Sequence, residues 1–470
     1  MLLKRIIYTA LICILSVIIL ISGNGCANII PPTGGPRDSL PPILLRVTPE
    51  DSTLNFKDNR INFYFDEYVD VQNTQENLIV SPNPKVVPVV EYKLRTVTVR
   101  IKDTLEPNTT YSINFGNAIR DINEGNILKD FTYVFSTGNT LDNNQLAGSI
   151  LIAETGKVDS TMVVLLHRST DDSAVIKERP RYVAKLDGSG NFNFRNLPAG
   201  SFQLYALKDE GGTRRYISGS QLFAFADKPV IVNDSTRPVT LYAYAEFIEP
   251  PRRTATVTAS VKEKNNQDKR LTFQTSLDNG QQELLSPFEL QFVNPLKSFD
   301  SSAVSFTDIT YTPLSNYSLS MDSLNKKVSL TYAWQPDSTY RVILDKNVAE
   351  DSTGRKLIRI DTISFKVKKI SDYGSLRLRF PTLDLNRKPV LQMVQGDKVV
   401  FSYPFTTKEF YNKLFKPGDY EVRILYDENQ NGKWDAGEFF KEHRQPEKAQ
   451  AIDRKVMVKN NWDNDVTIEF

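Results

Sequence analysis

Two cysteines, two histidines and three tryptophans in 470 residues leave this chain short of the side chains that most often carry chemistry. Cys13 lies inside an apolar N-terminal run and Cys26 stands just beyond it. Removal of that run leaves one thiol and no possible disulfide, so an exported chain of this kind must be stabilised by apolar sheet packing. His167 sits in VVLLHR and His443 in the charged run KEHRQPEK, neither with a partner nearby in sequence. Little material remains for a metal hydrolase or a Ser-His site. Charge of one sign is also missing. Lys+Arg 58 against Asp+Glu 56 gives a net charge of +2, which argues against nucleic acid as a partner and against docking on anionic lipid by charge alone. No glycine-rich phosphate loop follows a strand and opens a helix, and no amphipathic helix of several turns is evident.

What is present is repetition. Pro107 opens PNTTYSINFGNAIRDINEGN, closed by FTYVF, and Pro336 opens PDSTYRVILDKNVAEDSTGR, closed by DTISF. Interleaved with this pair, Gly200 opens GSFQLYALKDE and Gly418 opens GDYEVRILYDE, with Asp209 and Asp427 equally spaced from their glycines. The pattern predicts an A-B unit duplicated to A-B-A-B, which marks a modular molecule rather than one deep catalytic body. The 40% hydrophobic and 24% charged content is that of a globular chain, and its length fits modules of about 100 residues.

The N-terminus carries an address. Lys4 and Arg5 precede the apolar residues 6–21, and SGNGC ends at Cys26. A positive start, a short apolar core and a small residue before cysteine resemble a bacterial lipoprotein signal, which implies a signal peptide over 1–25 and lipidation of Cys26. Gly23 stands where leucine is usual. The alternative is a spanning anchor, because the apolar run is near the lower length limit for one. Residues 26–40, rich in Pro and Gly, read as a tether of about 45 Å at roughly 3 Å per residue. Ala27, Asn28, Ile29 and Ile30 hold neither a retention aspartate nor an acidic export run. This points to the outer membrane, with its face left open.

From Pro41 onward the fold class is all-β. INFYF, TVTVRI and YSINF alternate apolar and polar residues, with PNTT and DINEGN as turns. The motif order in 41–138 resembles the bacterial Ig-like modules of surface-layer proteins. A second, divergent copy is expected over 252–368, with FELQFVNPLKSF in place of INFYFDEYVDV. In 145–246, Phe192 and Phe194 share one strand face, and Phe202, Leu204 and Ala206 share another after the LPAG turn. This resembles the prealbumin-like sandwich of carboxypeptidase regulatory domains, a non-catalytic module repeated over 373–470. Asp66 and Glu67, adjacent in sequence, are expected at a turn or edge rather than as an acid/base pair.

The sharpest motif is DENQNGKWDAGE over 427–438. Its spacing matches a calcium loop: side-chain oxygens from Asp427, Asn429, Asn431, Asp435 and Glu438, the Lys433 carbonyl, and Gly432 at the turn. A strand precedes it where an EF-hand has a helix, so only the loop chemistry carries over, as a structural calcium site; a bare hairpin is the alternative. The equivalent loop, 209–220, has Gly211, Thr213 and Ile217 at ligand positions and is expected to hold no ion.

The function expected is therefore that of a lipid-anchored, non-enzymatic envelope protein of four sandwich modules, resembling Ig-like lipoproteins common in Bacteroidota. Its partners would be other envelope proteins, as an adhesion protein or accessory subunit of an outer-membrane complex. Two alternatives are a carbohydrate-binding lipoprotein, given Trp334, Trp434, Trp462 and 20 tyrosines, and, more weakly, an enzyme with a site between modules. The junctions at 139–145, 246–253 and 368–373 are expected to be exposed linkers.

Overall fold

The computed structural model of the chain describes residues 7–16, 37–247 and 270–470. Cys26 and most of the tether lie outside the described residues. Residues 7–16 are helical, and among the described residues no helix is long and apolar enough to cross a membrane. Nearly everything else is β-structure, in two compact units, residues 1–141 and 142–470.

The first unit holds a sandwich. Arg60–Phe65 lies between Leu44–Thr48 and Thr96–Arg100, with Val89–Lys93 at the edge, and Thr110–Asn114 centres a second sheet between Ile79–Ser81 and Thr132–Ser136. Period-two alternation drives the packing: Ile61, Phe63 and Phe65 turn inward and are buried. The Phe63 ring meets Phe115 and Tyr133 edge-on with centroids at 5.4 Å. Asp66 and Glu67 lie in the bend after this strand, and the Asp66 carboxylate accepts the Ile43 N–H at 2.8 Å.

The second unit contains three sandwiches. In the first of them, Asn144–Ile152 runs antiparallel to Asn191–Leu197 and parallel to Val239–Ala243. Facing this sheet are Tyr182–Lys185, Met162–His167, Gly200–Lys208 and Phe223–Phe225, in that order. The last sandwich repeats the plan. Gly374–Arg379 is antiparallel to Glu409–Phe415 and parallel to Asp463–Thr467, opposite Lys398–Pro404, Pro389–Gln395, Gly418–Tyr426 and Lys448–Val458. In both, the inward faces supply the core: Phe192, Phe194, Phe202, Leu204 and Ala206 in one, Tyr420, Val422 and Ile424 in the other. Between them, Phe288–Phe292 occupies the place in its sheet that Arg60–Phe65 holds in the first unit, flanked by Phe273–Thr275 and Lys327–Thr331. The divergent FELQF keeps the strand because Phe288, Leu290 and Phe292 still alternate inward. We number the four sandwiches as modules in chain order.

The repeated aspartates have a common use. Asp121 accepts backbone N–H groups of Glu124, Gly125 and Asn126 at 2.6, 2.9 and 2.8 Å. Asp351 accepts those of Thr353 and Arg355 at 2.9 and 3.0 Å. Asp209 takes those of Thr213 and Arg214 at 2.9 and 3.0 Å, and Asp427 those of Asn431 and Gly432 at 3.2 and 2.7 Å. Each carboxylate thus satisfies loop donors that the end of a strand leaves unpaired.

The junction at 368–373 is not a slack linker. Glu283 of the third module accepts Lys368 Nζ at 2.8 Å, Tyr373 Oη at 2.6 Å and Lys416 Nζ at 3.0 Å, and Tyr373 Oη also accepts the Leu284 N–H at 2.7 Å. Burial alone would raise the Glu283 carboxyl, but these hydrogen bonds outweigh it and hold the group down to about 2 from its ordinary 4.5. A depressed carboxyl contributes stability that is complete above its ordinary value and is lost as pH falls through its folded one. Glu283→Gln should therefore destabilise the junction by about 1 to 2 kcal/mol after allowance for solvent screening. It should also open 368–373 to protease at neutral pH and flatten the acid limb between 4.5 and about 2. Equal cleavage rates in wild type and variant would show that the clasp does not hold this junction.

Candidate functional site

Gly418–Tyr426 and Lys448–Val458 of the fourth module are joined by residues 427–447, and this long connection reaches the second module. The outward faces of Met162–His167, Gly200–Lys208 and Phe223–Phe225 present Leu165, Tyr205, Leu207, Phe223 and Phe225, all buried. What buries them includes Phe439, itself 1% exposed. Its ring lies 4.9, 5.2 and 5.7 Å from those of Phe225, Phe223 and Tyr205. Phe440 adds a contact with Tyr216 at 5.8 Å.

A polar rim surrounds this plug. His443 Nε2 meets Asp172 Oδ2 at 2.6 Å, and Gln445 Nε2 donates to Phe225 O at 3.0 Å and Asp227 Oδ1 at 2.7 Å. The Ala449 N–H donates to Ala153 O at 2.7 Å, and Lys157 pairs with Glu421 at 2.8 Å. Two glycines permit the approach. Gly156, at φ +68°, would bring a Cβ within 2.5 Å of Ala451 N, and a Cβ on Gly437 would lie 2.7 Å from Tyr244 Cζ. An apolar centre with a hydrogen-bonded rim is the anatomy of a specific interface. Here it joins two modules of one chain.

The calcium-type loop forms the first half of this connection. Asn429 and Asn431 each donate Nδ2 to Asp435 Oδ2 at 2.6 Å, while their own oxygens accept the N–H groups of Asn431 and Lys433 at 3.0 and 2.7 Å. The structure places Glu438 elsewhere: its carboxylate pairs with Lys441 at 3.3 Å, and its backbone exchanges hydrogen bonds with Arg444. Glu447 is the carboxylate that closes on the loop, accepting the N–H groups of Glu428 and Asp435 at 2.8 and 3.1 Å. Burial, reinforced by the charge of Asp427, pushes its carboxyl up. Twelve-residue spacing could not reveal it, because Glu447 returns on the far side of the Phe439 plug. Among the described residues no three His, Cys, Asp or Glu side chains gather into a metal-holding group. The side-chain oxygens of Asp427, Asn429, Asn431, Asp435 and Glu447 all accept hydrogen bonds here, so a hard cation would have to rearrange this loop to gather its oxygens.

The other sequence candidates are in structural use. His167 is buried, its Nε2 without a partner among the described residues, and burial lowers its pKa to about 4. Trp334 belongs to the third module's core, and Trp434 donates Nε1 to Glu447 O at 2.7 Å beside the plug. Trp462 is 62% exposed, with Lys459 over its ring.

Residues 38–137 match the model of a family described as bacterial Ig-like domain. No curated protein matches the chain. Among solved structures, the TIE protein of Bacillus anthracis is 11% identical, with 93% of this chain and 75% of that one covered at a TM-score of 0.17. The major pilin subunit BcpA of Bacillus cereus is 10% identical over 70% of this chain and 99% of that one, at 0.17. A biofilm-associated protein's BSP domain is 9% identical, with 91% and 99% covered, at 0.16.

Truncating the plug tests the interface. Phe439→Ala should lower the unfolding free energy by about 3 kcal/mol, the cost of deleting a fully buried ring, measured by urea denaturation. A loss below about 0.5 kcal/mol, the size of an ordinary surface change, would mean that the ring does not hold modules two and four together.

Proposed function

We propose that this chain is a lipid-anchored, non-catalytic protein of the bacterial cell envelope. Its fused sandwich body acts as a binding or spacing element, in adhesion or as an accessory subunit of an outer-membrane complex. The observation that carries this reading is the docking of modules two and four across a whole intervening module. Flexible tandem modules present their surfaces independently. A chain that folds back and clamps two of them presents one composite surface of fixed geometry, which is what a partner-binding scaffold needs. The bacterial Ig-like match over 38–137 supports the envelope setting.

The reading against catalysis rests on how the chemistry-bearing side chains are used. One histidine is buried and neutral, and the other is committed to Asp172 at the interface. A glycan-binding role is less well supported, because of three tryptophans two are consumed in packing.

The anchor is supported by the leader ending at Cys26. Cys26→Ala should release the protein from the membrane fraction or leave its precursor uncleaved. Unchanged fractionation together with unchanged processing would contradict the lipid anchor.

Calcium in residues 427–438, with Glu447 supplying the closing carboxylate, belongs to the same proposal as a stiffener of the connection that carries Phe439. Ligand bound only by the folded form stabilises by roughly 2.7 kcal/mol at a hundredfold excess over its dissociation constant. Added calcium should therefore raise the melting temperature and chelator should lower it. Asp435→Asn should remove the response, while Asp427 keeps its backbone cap. Indifference of the melting curve to both calcium and chelator would show the loop to be a bare hairpin.

A further inference from the structure

Beside the plug, a groove of about 510 Å³ opens where the second module's turn meets the fourth module's outer sheet face. Its charged lining is Lys157, Arg423, Arg454 and Lys455, set against Glu421 and Asp453. Volumes of a few hundred Å³ are those of small-ligand sites. Four cations face two acids here, in a chain whose charges otherwise nearly cancel.

Arg423 is the anomaly. It is 4% exposed, yet it forms no ion pair among the described residues. Its guanidinium donates from Nη1 to the Glu154 carbonyl at 3.3 Å, and its buried Nε has no partner among the described residues. A guanidinium cannot shed its proton to escape burial, and a buried charge without a counter-charge is costly, so one with spare donors at a groove wall calls for an anion. The acid nearest in sequence, Glu421, is engaged by Lys157 at 2.8 Å. Opposite, the ladder slips: Glu421 pairs with Lys455 and Val422 with Ile452, so that Asp453 and Arg454 bulge out beside the groove. Bulges of this kind re-aim side chains next to binding sites.

We propose that this groove binds an oxyanion, the carboxylate or phosphate of a small ligand, on the Arg423 fork, with Lys455 neutralising the remaining charge and the Lys157–Glu421 pair forming the wall on the second module's side. Guanidinium matches such oxyanions through paired N–H donors at fixed spacing. Because Lys157 belongs to module two and Arg423 to module four, the site exists only while the two are docked. The inference is independent of the lipid anchor and of calcium.

The test is a thermal-shift titration of the full chain at constant ionic strength with inorganic phosphate, with glucuronate, and with neutral glucose. A saturable rise with phosphate or glucuronate and none with glucose is expected; whichever anion acts assigns the ligand as phosphate- or carboxylate-bearing. Arg423→Gln should weaken the response at least tenfold, as loss of a charge-assisted contact does. The exposed Lys455→Gln should weaken it severalfold and decides the matter if the Arg423 variant fails to fold. No saturable response to either anion, or an unchanged midpoint in Lys455→Gln, would overturn the proposal.

Discussion

The second unit depends on one contact: a phenylalanine from the fourth module seated on the sheet of the second. Without Phe439, the rings of Tyr205, Phe223 and Phe225 would line an open sheet face. A patch of that kind invites aggregation. With it, module two is covered on both faces, one by its own second sheet and the other by the 427–447 connection and the short helix Ala174–Lys177, which contributes Val175. The third module, clasped to the fourth through Glu283, is held to the same body.

Duplication explains how such a contact arises. Both copies of the B unit end a strand with an aspartate that caps the following loop, Asp209 and Asp427. In the earlier copy the loop is short and folds onto its own module, with Tyr216 against Phe223 at 4.5 Å. In the later copy it extends through Asp435 and Glu447 and delivers Phe439 to its sister module. One loop cap, inherited twice, has become a local lid in one place and an intramolecular arm in the other.

The sheets were legible because alternation is a local signal. INFYF, YSINF, NFNF and SFQLYA turn inward the residues their periodicity names, and even FELQF, which departs from its partner in composition, keeps period two. The interface was not legible. Phe439 lies in GEFFKEH, which has neither period, and its partners stand more than two hundred positions earlier. Outward-facing Tyr205 and Leu207 hinted at it, since a strand apolar on both faces must be covered on both. Loop spacing named Glu438, whose carboxylate pairs with Lys441; the carboxylate that accepts the loop's N–H groups is Glu447, beyond the reach of a local template. The 368–373 junction read as linker by composition, yet it is fastened by side chains that only tertiary structure brings together.

Fixed geometry between modules two and four is the claim on which the rest stands. Residues 142–470 form one compact unit and contain no cysteine, so spin labels placed at the exposed Lys228 and Lys413 would report the separation of the two modules directly by pulsed electron paramagnetic resonance. The docked arrangement predicts a single narrow distance distribution, unchanged when the fragment is diluted. A broad distribution, with the modules sampling many separations, would contradict it.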